Sequence, residues 1–177
     1  MHQLYSIFKT AKAENRKWNL MKTFLQTTLF WIVFLSVLPS LIVYLEGVLA
    51  MPSFSPFLLL GWACFVFFSG LGLYSGYTMS WWGRGTPLPM DCPNELVIQG
   101  PYRVIRNPMA VAGIGQGISV GLILGSYGTV LYALLGAVLW HVFVRPPEEV
   151  DLERRFGVAY QQYQKRVKCW IPSFRVL

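Results

Sequence analysis

Long uncharged apolar stretches, separated by short charged segments, dominate the hydrophobic pattern of this chain. Residues 23–45 carry no charge, and residues 47–83 form a second uncharged stretch. Each is long enough for one membrane crossing, which takes about 20 residues. The pattern therefore predicts a first membrane helix over residues 23–45, kinked at Pro39, and a second over Phe57–Tyr77, after a turn at residues 52–56.

The third uncharged stretch covers residues 107–144 and is too long for a single crossing. As one straight helix it would extend roughly 57 Å, against a hydrocarbon core of about 30 Å. The sequence Gly125-Ser126-Tyr127-Gly128 lies near its middle and favours a turn. We predict a helical hairpin, with a third crossing over Met109–Leu124 and a fourth over Thr129–Val144.

The carboxyl-terminal region changes from apolar to amphipathic. We predict a tail helix from about Pro147 to Val167, with acidic residues in its first turn and basic residues at its end, as the helix dipole favours. Its apolar residues recur at spacings of four, four, three and four, as a single helix face requires: Leu152, Phe156, Tyr160, Tyr163 and Val167.

Composition and charge place these helices in a membrane. The chain is 54% hydrophobic and 13% charged, more apolar surface than a soluble domain of 177 residues can bury. All 15 lysines and arginines fall in residues 1–22, 81–108 and 145–177, which four crossings bring to one side. By the positive-inside rule that side is the cytoplasm, so both termini are cytosolic.

The predicted fold class is therefore all-α. We predict a polytopic membrane protein of four transmembrane helices, with a carboxyl-terminal helical hairpin and a cytosolic amphipathic tail helix. Residues 1–22 form a basic cytosolic segment, residues 23–82 two transmembrane helices, and residues 83–177 a catalytic-type region. The net charge of +7 suits anionic membrane lipids and not a nucleic acid, because the cations flank apolar spans.

The cysteines and histidines do not indicate a metal site. Cys64, Cys92 and Cys169 lack metal-type or close spacing, and His2 and His141 lie far apart in sequence. No disulfide framework or metal is expected.

Charged residues at the predicted membrane boundary are the candidates for chemistry. Arg103 and Arg106 precede the third span and, if that segment is helical, share a face that could grip a carboxylate or phosphate; they also serve as ordinary membrane anchors. Glu148 and Glu149 follow the fourth span, where helix capping alone would explain them. His141, one turn inside that span, is either functional or bonded to a neighbouring helix.

Five glycines stand in the third span, at Gly113, Gly115, Gly117, Gly121 and Gly125. Glycines let a neighbouring helix or a ligand approach the backbone closely. Helix packing is the simpler explanation of the two. No strand precedes these glycines, so a dinucleotide-binding fingerprint is excluded.

The hairpin brings the two ends of the third stretch back to the same membrane surface. The arginine pair, the glycine face and the glutamate pair are therefore expected to line one pocket. Such a pocket offers hydrogen-bond acceptors for an amine, hydrogen-bond donors for a carboxylate and an apolar surface for a lipid.

These motifs resemble a known family. The sequence Gly100-Pro101-Tyr102-Arg103-x-x-Arg106-Asn107-Pro108, then Glu148-Glu149-x-x-Leu152-x-x-x-Phe156-Gly157-x-x-Tyr160-x-x-Tyr163 and Trp170-Ile171-Pro172, is similar to isoprenylcysteine carboxyl methyltransferases and their phospholipid methyltransferase relatives. The likeness covers residues 86–172. It implies an S-adenosylmethionine-dependent integral membrane methyltransferase that acts on a lipophilic acceptor.

The resemblance also implies roles for individual residues. Arg103, Arg106 and Asn107 are the expected catalytic residues. The expected cofactor-binding residues are Tyr102, Arg106, Asn107, Pro108, Gly113, His141, Glu148, Glu149, Tyr160 and Tyr163. Because the chain is short compared with the eukaryotic enzymes, a prokaryotic inner membrane is the expected location.

Two other classes of protein remain open from the sequence. One is a non-catalytic membrane protein of the same fold that binds a lipid or a partner. The other is a nicotinamide-dependent reductase on a related scaffold. The chemical class of the methyl acceptor, whether carboxylate, amine or thiol, and the oligomeric state do not follow from the sequence.

Overall fold

The computed structural model describes residues 16–86 and 92–173. Most of the basic segment predicted over residues 1–22 therefore lies outside the described residues. The described chain is built around four helices, three of which are long and apolar enough to cross a membrane, and the protein is an integral membrane protein. In chain order the helices are α1 (Arg16–Val48), α2 (Leu58–Trp82), the shorter α3 (Pro108–Leu124) and α4 (Tyr127–Arg166).

Helix α1 begins at Arg16, before the predicted start at residue 23. It contains a π-helical stretch over Trp31–Val37, just before Pro39. Proline has no N–H to donate into the helical ladder, and wider hydrogen-bonded turns relieve that defect. The irregularity expected at Pro39 is therefore present, in the form of a π-helical stretch on its amino-terminal side.

The turn predicted at residues 125–128 joins α3 to α4. Gly125 adopts the left-handed conformation that ends many helices (φ 67°), and the Ser126 side chain accepts a hydrogen bond from the Thr129 amide. The Glu46 carboxylate accepts a hydrogen bond from the Gly128 amide at 2.6 Å. The end of α1 and this turn therefore lie together, at the end of the protein opposite the charged segments.

Helix α3 lies at the centre of the bundle, between α2 and α4. The first half of α1 packs on α2, while its last part crosses α3 to reach α4. Large apolar side chains face outward on the other surfaces, as with Leu59, which is 88% exposed. In water such a surface would be unstable, whereas hydrocarbon is its natural solvent.

The amphipathic tail helix predicted from about Pro147 to Val167 is present as the last part of α4, Arg145–Arg166, but it differs from the prediction in two respects. First, α4 runs without a break through Pro146 and Pro147, helped by a π-helical stretch over Trp140–Val144. Proline is tolerated where the preceding turn adjusts its hydrogen bonds. Because α4 would span roughly 60 Å as a straight helix, only its apolar part, up to Val144, can span a hydrocarbon core of about 30 Å.

Second, the tail folds back on itself at Gly157, whose backbone angles (φ 51°, ψ −127°) suit glycine alone. The two halves pair across this turn: the Gln161 side chain bonds to Glu153, and that of Gln164 to Glu149. The predicted apolar residues do come together, but around this fold-back. Tyr160, Tyr163 and Val167 are buried with Leu152, Phe156 and Leu96 packed against them.

Candidate functional site

A group of charged and polar side chains gathers where the amino-terminal end of α3 meets the middle of α4. We call it the charged cluster; its members are Arg106, Asn107, Arg145, Glu148 and Glu149. Arg106 is its centre: its Nη1 atom donates to Glu149 Oε1 at 2.5 Å and to the Tyr160 hydroxyl at 3.3 Å. Its Nε atom donates to the Val167 carbonyl at 2.8 Å. These bonds join residues 43 to 61 positions apart in the chain.

The remaining members complete the cluster. Asn107 Nδ2 donates to Glu148 Oε2 at 3.2 Å. Arg145 Nη1 lies 4.0 Å from Glu149 Oε1, and the Arg145 Nε atom is buried without a hydrogen-bond partner in the described structure. Two guanidinium groups therefore face Glu149, and one of them has an unused buried donor. An unpaired buried donor is costly, so this position favours an added acceptor.

The backbone before α3 explains why Arg106, and not Arg103, reaches the cluster. Gly100–Arg103 forms a single 3-10 turn, and Asn107 is non-helical before Pro108, as residues before proline usually are. The segment is therefore not an α-helix, and the predicted shared face of the two arginines is wrong. Arg103 is exposed, while the Arg106 side chain is 12% exposed.

Three tyrosines and the carboxyl-terminal segment enclose the cluster. The Tyr163 hydroxyl donates to the Tyr102 carbonyl at 2.7 Å, and Tyr102, Tyr160 and Tyr163 are all buried. The Arg106 amide donates to the Lys168 carbonyl, and the Ser173 amide to the Val104 carbonyl. We call residues 167–173 the strap, because it lies along residues 104–106 and holds them in place.

Two groups at the cluster, Glu148 and the neighbouring Tyr160, have raised pKa values, and both lie beyond the membrane-spanning part of α4. Burial is the largest cause that raises the pKa of Glu148, from 4.5 to about 7. The charges of Glu149 and Asp151 raise it further, while the hydrogen bond from Asn107 and the charge of Arg155 lower it. Burial and then the Glu149 charge raise the pKa of Tyr160 to about 12. Glu148 is therefore poised to exchange a proton near neutral pH.

Besides Arg103, three of the predicted site residues lie outside this group of contacts. Pro108 is buried at the first turn of α3, directly after Asn107. Gly113 lies further along α3, and a side-chain carbon placed there would have Phe30 as its nearest described neighbour, at 3.9 Å. His141 Nδ1 accepts a hydrogen bond from Trp170 Nε1 at 2.9 Å, so it contacts the strap.

The other glycines of α3 serve helix packing. A Cβ atom on Gly115 would lie 2.5 Å from the Phe68 ring, and one on Gly121 would lie 2.6 Å from Val130. Gly117 similarly meets Ala133 on α4. Neighbouring helices therefore occupy the space beside these three glycines. Of the four glycines within α3, only Gly113 has space beside it in the described structure.

Two residues of this region were not predicted from the sequence. Arg145 is four residues before Glu149, a spacing that brings side chains together on a helix, so the signal was present. Trp170 gave no comparable signal: its contacts with His141 and Trp140 depend on the path of the strap.

The fold and the cluster define a helical membrane protein with a guanidinium and carboxylate site near one end of its membrane-spanning helices. The family model of the phospholipid methyltransferases matches residues 56–159, which include the charged cluster. The chain belongs to this family, and the resemblance seen in the sequence is confirmed.

A curated relative supports the same assignment. Over 80 residues the chain is 35% identical to the protein-S-isoprenylcysteine O-methyltransferase of Schizosaccharomyces pombe. The match covers 44% of this chain and 33% of that protein, so the chain corresponds to about a third of the length of its relative.

Proposed function

We propose that this protein is a membrane methyltransferase that binds S-adenosylmethionine at the charged cluster and methylates a lipophilic acceptor. The observation that carries the proposal is the pairing of Arg106 with Glu149, with Arg145 beside them, at the membrane boundary. Family membership supports a transferase, and the name of the yeast relative supports a membrane-embedded acceptor.

The residues present fit this cofactor. An amino acid moiety carries a carboxylate and an ammonium group, which need a donor and an acceptor close together. The buried Arg145 Nε atom is a donor without a partner, and Glu148 and Glu149 are acceptors within the same cluster. We propose that Arg106, Arg145, Glu148 and Glu149 hold the amino acid moiety, with Asn107 fixing Glu148.

When bound, the cofactor would supply a methyl group activated on a sulfonium, which passes to an electron pair of the acceptor while the electrons of the broken carbon–sulfur bond stay on sulfur. The protein has to hold the two partners in line and exclude water. Tyr160, Tyr163 and the strap cover the cluster and serve the second task. A carboxylate acceptor needs no general base, and Arg106 would orient it.

An amine acceptor would instead have to lose a proton. Glu148, with a pKa of about 7, is suited to accept one near neutral pH. The choice between these acceptors therefore depends on whether Glu148 acts as a base or only as a cofactor ligand.

We also propose the arrangement in the membrane. α1, α2, α3 and the apolar part of α4 make four crossings, with both termini and the charged cluster on the cytosolic side. Residues 83–177 carry the site, and a prokaryotic inner membrane is the proposed location. The positive-inside distribution of lysine and arginine supports this orientation.

Ligand titration of the full chain in lipid nanodiscs tests the cofactor assignment. S-adenosylhomocysteine should give saturable heat with the wild type and with Glu95→Gln, an exposed carboxylate outside the cluster. Glu149→Gln should lose at least tenfold in affinity, since it removes an acceptor from the cluster. NADPH should give no saturable signal.

Transfer of labelled methyl groups into lipid-soluble products then tests the reaction. Correctly folded wild type that binds neither S-adenosylhomocysteine nor S-adenosylmethionine would contradict the proposal and favour a non-catalytic lipid-binding protein. Tight binding of NADPH in their place would favour a reductase.

A further inference from the structure

A second ion pair lies on α4 just beyond the charged cluster, between Asp151 and Arg155. The Arg155 Nε atom donates to Asp151 Oδ2 at 2.7 Å, and its Nη1 atom donates to the Pro93 carbonyl at 2.6 Å. The Asp151 side chain is 3% exposed and that of Arg155 is 15% exposed. Because burying charge is costly, solubility does not explain this pair.

The carbonyl that Arg155 bonds to belongs to a segment between α2 and α3. We call residues 92–97 the bridging loop. The Asn94 amide donates to the Gly83 carbonyl at 2.7 Å, so one side of the loop lies against the end of α2. On the other side, Leu96 packs against the buried core at the fold-back of α4. Arg155 therefore bonds α4 to a loop that is already in contact with α2.

The bridging loop connects Arg155 to the charged cluster. The core on which Leu96 packs contains Tyr160, and the Tyr160 hydroxyl accepts a hydrogen bond from Arg106. The same core contains Val167, whose carbonyl accepts the bond from Arg106 Nε. Loosening the loop would therefore loosen two of the groups that hold the central arginine of the cluster.

The helix provides a second connection, through charge. Glu148, Asp151 and Arg155 recur at spacings of three and four, which place them on one face of α4. Burial has the largest influence on the pKa of Glu148; beyond it, the charge of Arg155 lowers this pKa and that of Asp151 raises it. The pair therefore acts on Glu148 with two opposed charges.

Other ionisable groups also surround Glu148. They belong to α4, to the segment before α3 and to the strap: Glu149, Arg145, Tyr160, Tyr102, Arg106 and Cys169. Because a replacement of Asp151 or Arg155 leaves all of these groups present, a change in the titration of Glu148 reports on the pair.

We propose that Arg155 is a positioning residue of the methyltransferase site, which fixes the bridging loop to α4 and, together with Asp151, sets the balance of charge beside Glu148. This role rests on the proposed function, because it takes Glu148 as a ligand of the cofactor. It makes the bridging loop part of the support of that site.

Hydrogen exchange of the full chain in lipid nanodiscs tests the mechanical part without any ligand. Arg155→Gln removes the bond to the Pro93 carbonyl and should speed exchange of the bridging loop about tenfold, with α3 unchanged. Arg154→Gln is the matched control, because Arg154 bonds to the same carboxylate but is 63% exposed, and the loop should exchange as in the wild type. If Arg155→Gln does not fold, Arg155→Lys against Arg154→Lys makes the same comparison.

The pH dependence of S-adenosylhomocysteine affinity tests the electrostatic part. Arg155→Gln removes a positive charge and should move the midpoint of the profile to higher pH, by roughly half a pH unit. Asp151→Asn removes a negative charge and should move it to lower pH by a similar amount. Arg155→Lys keeps the charge and should keep the midpoint, while the loop still exchanges faster, because one ammonium group does not replace the guanidinium fork.

A role in stability alone would weaken binding in Arg155→Gln and Asp151→Asn without opposite shifts of the midpoint. Midpoint shifts in the same direction, or a bridging loop that exchanges equally in Arg155→Gln and the wild type, would overturn this proposal. The proposed function fails separately, if the wild type does not bind S-adenosylhomocysteine; if the wild type binds it and Arg155→Gln changes neither loop exchange nor midpoint, only the role of Arg155 is wrong.

Discussion

The two parts of α3 differ although both contain glycine and lie in the same helix. From the middle of the helix onward, side chains of α2 and α4 occupy the space beside Gly115, Gly117 and Gly121. At the amino-terminal end, Gly113 has space beside it, and the chain before it carries Arg106 and Asn107 into a group of opposite charges. One end is built for close packing, and the other for holding a polar ligand.

The first way to break this comparison is to remove Arg106, the central cation at the amino-terminal end of α3. Arg106→Gln should lower the free energy of unfolding by about 3 kcal/mol, because it leaves the half-buried Glu149 beside one cation and removes the bond to the strap. Binding of S-adenosylhomocysteine should be lost. Thermal unfolding in detergent and ligand titration measure the two effects.

The control for that variant is Arg103→Gln, since Arg103 is exposed. Stability should stay within about 0.5 kcal/mol of the wild type, and ligand affinity should change less than threefold. An equal loss of binding in both variants would contradict the distinction drawn between the two arginines.

The second test exchanges glycine for alanine at each end of α3. Gly115→Ala should cost about 1–3 kcal/mol of stability, because the new carbon would meet the Phe68 ring at 2.5 Å. Gly113→Ala should leave stability unchanged while weakening ligand binding. If Gly113→Ala were the more destabilising of the two, the assignment of packing and ligand roles would be reversed.

A smaller effect is expected from pH. Because the pKa of Glu148 is raised to about 7 from 4.5, its ionisation opposes folding, and the stability that its protonated form contributes declines as the pH rises from about 4.5 to 7. A cationic ligand group favours the ionised form. Affinity for S-adenosylhomocysteine should therefore rise between pH 6 and pH 8, by at most about tenfold per pH unit.

Glu148→Gln isolates this contribution. The variant should bind more weakly than the wild type at pH 8 and show a flat profile between pH 6 and pH 8. A profile that keeps its slope in the variant would assign the titration to another group.

The smallest effect concerns the strap that covers the charged cluster. Trp170→Phe keeps the ring but removes the hydrogen bond to His141, at a cost of about 1 kcal/mol. Hydrogen exchange of residues 167–173 should become faster, with α3 unchanged. Trp82→Phe, at an exposed position, is the control; equal exchange in both variants would mean that the bond does not hold the strap.

The sequence predicted well those features that depend on length and local pattern. The uncharged stretches located the helices, and Gly125 to Gly128 located the hairpin, because a bilayer of fixed thickness limits each crossing. The meeting of Arg106 with Glu149 followed from that hairpin. Whether these residues bind a cofactor stays a prediction.

Features that depend on tertiary contacts were not predicted. A run of apolar residues at helical spacing looks the same in a straight helix and in one that folds back at Gly157. Likewise, the spacing of three positions from Arg103 to Arg106 implies a shared face only if the segment is an α-helix, and Pro108 prevents that. The path of the strap decided the place of Trp170, and no local pattern specifies that path.

A structure of the full chain with S-adenosylhomocysteine tests the central claim most directly. The account predicts ligand density at the charged cluster, with the carboxylate on Arg106 or Arg145 and the ammonium group on Glu148 or Glu149, beneath Tyr160 and the strap. Density bound elsewhere, with the pair of Arg106 and Glu149 undisturbed and out of contact with the ligand, would contradict it.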